Sequence, residues 1–382
     1  MKSKIILIVA LVVFMILAGI PLYQQRHFEE KIVAGDSVVD VFKLSKYFEP
    51  LEGTVQDTNV YELKGEEPGG KVLIIAGTHE NEPSANTFAF MMVENLKVDK
   101  GTVYIIPHFN RSGSLGTQAG GGFPLYYDID TEWGEKVFRF GDRGLQPLDQ
   151  WPDPDVYVHY PEGQLLSYID SRNTNRTWPG KANGTLAEQT TYAAMQMIED
   201  EDIDIVIDLH EAETMYPVTN CIVVPEKSKP YAIGTSLFVK GREGFENHVE
   251  PSPTGYRGLS HREIGDYSDA YPFLFESPGA HLDQITAGKT VDLIVSGIDP
   301  FIMEAEKKGL LFVPYDENGF SMDRRVGQHS SVFQELMSQW SRKNKDKEVI
   351  VEAPKYADIV ENGLGYYFKN PDEVDEDLVY IE

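Results

Sequence analysis

The chain has 382 residues, 41% of them hydrophobic, enough for one large α/β domain alone or with a small appendage. Acidic residues outnumber basic ones 61 to 34, and the resulting net charge of −27 excludes an extended contact with nucleic-acid phosphates. Cys221 is the only cysteine, so no internal disulfide can form.

The first element is the most apolar. Lys2 and Lys4 precede an uncharged run from Ile5 to Tyr23, about as long as a bilayer core is thick. With the lysines held on the cytoplasmic side, residues 1–23 read as a membrane anchor that meets the bilayer through residues 5–23 and leaves the rest of the chain extracytoplasmic. A signal peptide, cleaved to give a secreted product, is the rival reading. Ala18 and Gly19 are small enough for it, but a clear A-x-A site is missing.

Residues 24–66 read as a linker or N-terminal extension that ends in the turn Gly65-Glu66-Glu67-Pro68-Gly69-Gly70. The main domain is expected over 67–308. It opens with residues 71–76, a glycine-bounded run of branched apolar side chains that fits a strand buried on both faces. Glu82-Pro83-Ser84 then carries a helix-start pattern that continues through residues 88–96. Residues 103–107 form a second strand. Residues 111–170 are rich in Gly, Pro, Asp and aromatics without clear period, a loop-rich insertion of the kind that walls a binding site.

A helix is expected over 186–200, and a strand over 203–209 that runs directly into His210. Shorter strands follow at 221–224 and 273–275. This alternation of strands and helices predicts an α/β sandwich on a largely parallel sheet. Residues 309–382 read as a C-terminal cap segment, with a helix over 331–342, a polar break at 343–347 and a short strand at 348–351.

Candidate chemistry sits at strand ends. Gly77-Thr78-His79-Glu80-Asn81-Glu82 lies where the first strand gives way to a helix, the usual position of function in an open α/β sheet. If that turn winds into a helix, His79 and Glu82 can converge on one metal ion. Asp208-Leu209-His210 supplies a third ligand from a neighbouring strand end. Two histidines and a glutamate form the open three-ligand set of catalytic zinc, with a fourth position left for water. Asn173-Thr174-Asn175-Arg176 is a polar loop whose arginine and amide can clamp a carboxylate. Glu276, at the end of an apolar strand, is placed to act as a general base.

These four segments, in this order over residues 71–279, resemble the zinc carboxypeptidase clan, and within it the succinylglutamate desuccinylase/aspartoacylase branch. The resemblance implies a three-layer α/β/α sandwich on a mixed, largely parallel sheet, with one zinc ion per chain on His79, Glu82 and His210. It implies Glu276 as the catalytic base and Asn175 and Arg176 as the clamp on a substrate carboxylate. It also implies an arginine near the scissile carbonyl, for which Arg172 and Arg111 are candidates, and a late tyrosine, for which Tyr256 is the candidate. The chain departs from the branch at Glu80, where glycine is usual, and at Asn173, where aspartate is expected.

The implied activity is hydrolysis of an amide next to a free carboxylate in a small molecule or short peptide. Three readings stay open: an N-acyl amino acid deacylase, an exported carboxypeptidase acting on peptides or cell-wall stems, and a non-catalytic, surface-anchored binding domain of the same fold.

Overall fold

The apolar run at residues 71–76 forms the inner half of a longer strand in the middle of a nine-stranded sheet. The computed structural model describes residues 2–117, 123–282 and 284–382. Met1 of the expected anchor, residues 118–122 of the expected insertion and residue 283 lie outside these. The strands are β1 (Val38–Lys43), β2 (Asn59–Lys64), β3 (Glu67–Ile75), β4 (Lys97–Ile106), β5 (Ile205–Glu213), β6 (Cys221–Val224), β7 (His248–Pro251), β8 (Tyr271–Gly279) and β9 (Ile350–Glu352).

Across the sheet they run β7-β6-β8-β5-β3-β4-β2-β1, with β9 also paired to β4. The four central strands, β8, β5, β3 and β4, are parallel. Antiparallel neighbours flank them: β6 on β8 at one side, and β2, β1 and β9 at the other. This is the mixed, largely parallel sheet expected.

Helices cover both faces because both faces of the central strands are apolar. Val72 and Ile74 of β3 point into one core, while Leu73 and Ile75 point into the other, the period-2 alternation of a doubly buried strand. On the first face lie α2 (Pro83–Asn95), α4 (Lys229–Glu243) and α5 (Met322–Lys343). Along α5, Val326, Phe333, Leu336, Met337 and Trp340 recur at helical spacing and are buried against the sheet and α2. Phe333 meets Phe88 of α2 edge to face at 6.4 Å, and truncating such a ring to alanine costs about 3–5 kcal/mol.

The second face is covered by α3 (Leu186–Asp200), whose Ala193, Ala194, Met197 and Ile198 pack on Leu73, Ile75 and Val206. Its start is fixed by a capping box between Thr185 and Glu188. The result is a three-layer α/β/α sandwich.

Two expected appendages are built into this body. Residues 24–66 supply β1 and β2, and residues 309–382 supply α5 and β9. Their sequence signals were weak for physical reasons. β1 is half exposed, and α5 buries many polar side chains, Gln328, His329 and Ser330 among them, which blurs its apolar stripe.

At the N-terminus, α1 (Lys2–Arg26) has a mean hydropathy of 3.1 over its apolar window, none of it buried in the domain. Among the described residues it is the one helix long and apolar enough to cross a membrane, and a signal sequence would share these properties.

Candidate metal centre

The site lies where β3 and β5 part. Their pairing ends at Ile75 opposite Asp208, after which the first chain leaves the sheet and β5 continues as far as Glu213. Gly77 makes that departure possible. It has a φ of +70°, and a Cβ there would fall 2.3 Å from Glu80 Oε1 and 2.6 Å from Asn86 Nδ2.

His79 and Glu82 then meet through a turn closed by Glu82 N–H donating to His79 O at 3.1 Å, with α2 starting only at Pro83. The sequence expectation of a helical i, i+3 pair therefore gives way to a turn, although the two side chains still converge. The proline fixes φ at the first helical position and leaves no N–H unpaired there.

His79 Nδ1 lies 2.7 Å from one Glu82 oxygen, and His210 Nδ1 lies 2.9 Å from the other. The ligand atoms of all three residues fall within 4.8 Å of one another, and all three side chains are buried. The outer nitrogens are occupied as well: His79 Nε2 is 3.0 Å from Asn173 Oδ1, and His210 Nε2 is 3.0 Å from Asp208 Oδ2. With the outer nitrogens set against these oxygens, both Nδ1 atoms face the shared carboxylate, the orientation that partners behind a metal ligand impose. Asn173 retains an acceptor oxygen where the resemblance expects aspartate, and that oxygen also receives Asn175 N–H at 2.9 Å.

The electrostatics match a cation-binding pocket. Burial pushes Glu82 upward, but the two imidazoles outweigh it and hold the carboxyl well below its usual range. Burial pushes His79 down to about 4 against the pull of Glu82, which keeps its ring neutral. His210 goes the other way: burial opposes protonation, yet Asp208 and Glu82 together raise it well above its ordinary value. The positive charge on His210 thus offsets the negative charge on Glu82, and a divalent ion binding there would displace the His210 proton. Two imidazoles and a carboxylate, with open space on one side, fit zinc.

That open side is a cavity of about 560 Å³. Glu276 reaches it from β8, directly across from His210 in the parallel register. Burial drives its carboxyl well above the usual range, with His210 opposing, and Glu276 Oε2 has no hydrogen-bond partner among the described residues. Asn175 and Arg176 line the same cavity. Asn175 Oδ1 accepts Ser260 N–H at 2.9 Å, so its NH2 is the end available to a ligand. Arg176 lies under the face of Tyr256, 5.0 Å from the ring centre, and Tyr256 is also part of the wall.

The two arginine candidates for the scissile carbonyl are elsewhere. Arg172 Nε pairs with Asp153 at 3.1 Å, and Arg111 donates to Val55 O at 3.4 Å; neither lines the cavity. The arginine that does is Arg143, whose Nη2 lies 3.5 Å from Glu82 Oε1. Sequence reading missed it because it sits in the loop-rich segment, where no period singles out any residue.

Also missed was the buried support behind the ligands. Arg325 of α5 donates to both oxygens of Glu211 at 2.8 and 2.9 Å. Glu211 in turn accepts Ser84 N–H of α2 at 2.7 Å, while its own N–H donates to Glu82 at 3.0 Å. A helix from the last quarter of the chain therefore pins the junction that carries two of the three ligands.

Comparison with known proteins adds the following. No family model matches the sequence. A leucine–tRNA ligase of Phocaeicola vulgatus is 24% identical over 178 residues, covering 45% of this chain but only 16% of the ligase. Among solved structures, a metallo-carboxypeptidase from Burkholderia cenocepacia overlaps with a TM-score of 0.46 at 14% identity, over 81% of this chain and 66% of that one. A tripeptide-bound cell shape determinant protein from Helicobacter pylori gives 0.44 at 12% identity, over 78% and 56%. An aspartoacylase family protein from Mesorhizobium loti gives 0.36 at 17% identity, over 58% and 56%. The chain thus spans about two thirds or less of each of these solved chains. One is a metallo-carboxypeptidase, one a cell shape determinant protein and one an aspartoacylase family protein.

Proposed function

We propose that this chain is a zinc-dependent hydrolase of an amide bond adjacent to a free carboxylate. The observation that carries the reading is the meeting of His79, Glu82 and His210 at the wall of a cavity that also holds a half-buried Glu276, whose Oε2 has no hydrogen-bond partner among the described residues. A zinc ion held by those three residues supplies, when bound, the Lewis acid that polarises the amide carbonyl and acidifies water.

The chain's own groups do the rest. Asn175 and Arg176 hold the substrate's carboxylate, with the planar guanidinium held in place against the Tyr256 ring. Glu276, whose carboxyl burial raises above its usual range, takes a proton from the attacking water and returns it to the leaving nitrogen. The C–O bond forms first as the carbonyl π pair moves onto its oxygen, and the C–N bond breaks when that pair returns, giving a carboxylate and an amine. Arg143 faces the carbonyl oxygen as negative charge gathers there.

Within this reading the favoured substrates are N-acyl amino acids, as the motif resemblance implies. A second reading, an exported carboxypeptidase acting on peptides or cell-wall stems, draws on two observations: the cavity is roomy enough for more than one small acyl group, and α1 would place the domain outside the cytoplasm. Secretion after signal cleavage would leave it outside as well.

The test is a substrate panel on the zinc-loaded chain: N-acyl amino acids and short peptides, each with a free or an amidated carboxyl terminus. Release of free amine from the carboxylates, strongly reduced for the amides, is the expected result. Absence of bound zinc sinks the metal assignment, and zinc without turnover of any member leaves the non-catalytic binding domain as the reading. Which free-carboxylate series is faster decides between deacylase and carboxypeptidase.

A further inference from the structure

The apolar helix α1 runs straight into the domain. Gln25, in its last turn, is fully buried and donates its side-chain NH2 to Phe140 O at 2.9 Å and Leu125 O at 3.2 Å. Arg26, the last helical residue, forks onto Asp149 at 2.5 and 3.3 Å, and Asp149 also accepts Ser112 Oγ at 2.7 Å. No flexible linker separates helix from domain.

Around that junction large apolar side chains are exposed, with Asp153, Asp155 and Asp170 between them. Leu148 and Trp151 flank Asp149 in the chain and are 86% and 75% exposed. Leu145 N–H donates to Arg172 O at 2.8 Å and Gln150 Nε2 to Ser171 O at 2.9 Å, which sets the helical turn Tyr168–Arg172 against the same loop. That turn adds Tyr168 and Ile169, both more than half exposed. Exposed aliphatic and aromatic side chains gathered at one place mark a surface that something covers. Tryptophan and tyrosine beside an apolar helix are what the headgroup level of a bilayer favours.

We propose that this face, with Leu148 and Trp151 at its centre, lies on the bilayer surface next to α1, so that the domain is seated on the membrane. The proposal rests on the reading of α1 as a membrane span and goes beyond it by assigning the lipid-facing side of the domain. The bilayer is the occupant because the face is continuous with the helix that enters it: Leu148 and Trp151 are one and two residues from the partner of Arg26. The same loop carries Arg143 into the cavity, so the lipid-facing segment and the candidate catalytic centre share one stretch of chain.

The test uses the full chain in phosphatidylcholine vesicles. Spin labels are placed at F14C, inside α1, and at L148C; the native Cys221 is buried. Collision with oxygen is compared with collision with a water-soluble nickel complex. Seating predicts that oxygen dominates at both positions. Oxygen dominant at F14C with nickel dominant at L148C overturns the seating and leaves the anchor standing, whereas nickel dominant at F14C overturns both. A second readout needs no label: lipids brominated near the headgroup should quench a fluorescence component that is lost in W151F. Quenching that is the same in W151F as in the parent chain overturns the proposal.

Discussion

Two buried clusters of histidine and glutamate lie side by side in this fold, one built around Glu82 and the other around Glu80. In the second, Glu80 Oε2 is 2.8 Å from His108 Nδ1, His108 Nε2 is 3.3 Å from Glu30, and Glu30 is 2.6 Å from Arg139. Burial opposes the charge on His108, yet the two carboxylates raise it to about 10, and burial of Glu30 is outweighed by Arg139 and His108, which bring it down to about 2. This chain of charges is closed on itself: each cation has its anions, and His108 offers no lone pair. In the first cluster His79 stays neutral, both Nδ1 atoms face one carboxylate, and one side opens on a cavity. Residue type is common to both; what separates them is that His79, Glu82 and His210 line the cavity, whereas Glu80, His108 and Glu30 do not.

The sharpest way to break the comparison is to remove a ligand from the open cluster. His79→Ala or His210→Ala should weaken zinc binding by more than about 100-fold, since even an outer-shell partner is worth about 10–100-fold. Zinc per chain measured after dialysis checks it, and stoichiometric metal in both variants would reduce the first cluster to another ion network. Next in size is Glu276→Gln, which keeps the shape of the side chain but not its basicity. It should retain zinc while turnover falls by about 10²–10⁴, the usual worth of a general base.

The closed cluster answers to pH instead. His108 has a raised folded-state value, so its contribution to stability is complete below about 6.5 and is lost as pH rises through about 10. In the zinc-loaded chain, where His210 has given up its proton, the urea midpoint should fall across that window by an amount equivalent to about 1.4 kcal/mol per pH unit, and His108→Gln should flatten the slope. A parent chain whose midpoint does not move over that range would show that His108 is not the charged centre of the network. The smallest effect expected is for Asn173→Asp. Asn173 Oδ1 already meets His79 Nε2 at 3.0 Å, so restoring the aspartate should change zinc affinity by no more than about the tenfold lower bound for an outer-shell partner. A larger gain would mean that the amide is a deliberate weakening of the site.

What the sequence made legible follows from the same physics. The helix expected over 186–200 matches Leu186–Asp200, and the strand at 221–224 matches Cys221–Val224, because caps and doubly buried strands leave local signatures. The ligand trio was visible because each member follows a strong apolar strand. Arg143 was not, since it reaches the cavity from an irregular loop, and Arg172 and Arg111 stood as candidates only through the resemblance, which implies such an arginine without placing it. Arg325 and Glu211 lie 114 residues apart, and nothing local announces their pairing. The C-terminal helix therefore read as a cap, although it packs on the sheet and braces the ligands.

Asp208 ties three segments of the chain together. Its two oxygens receive the hydroxyls of Thr78, beside the first ligand, and Ser260, at the start of the helix that follows the Tyr256 loop, and one of them also faces His210 Nε2. The electron density that His210 offers from its inner nitrogen depends on how firmly this carboxylate holds the outer one. Through Ser260, the wall of the cavity is mechanically geared to that hold, so the position of the Tyr256 loop and the donor strength of the histidine cannot vary independently.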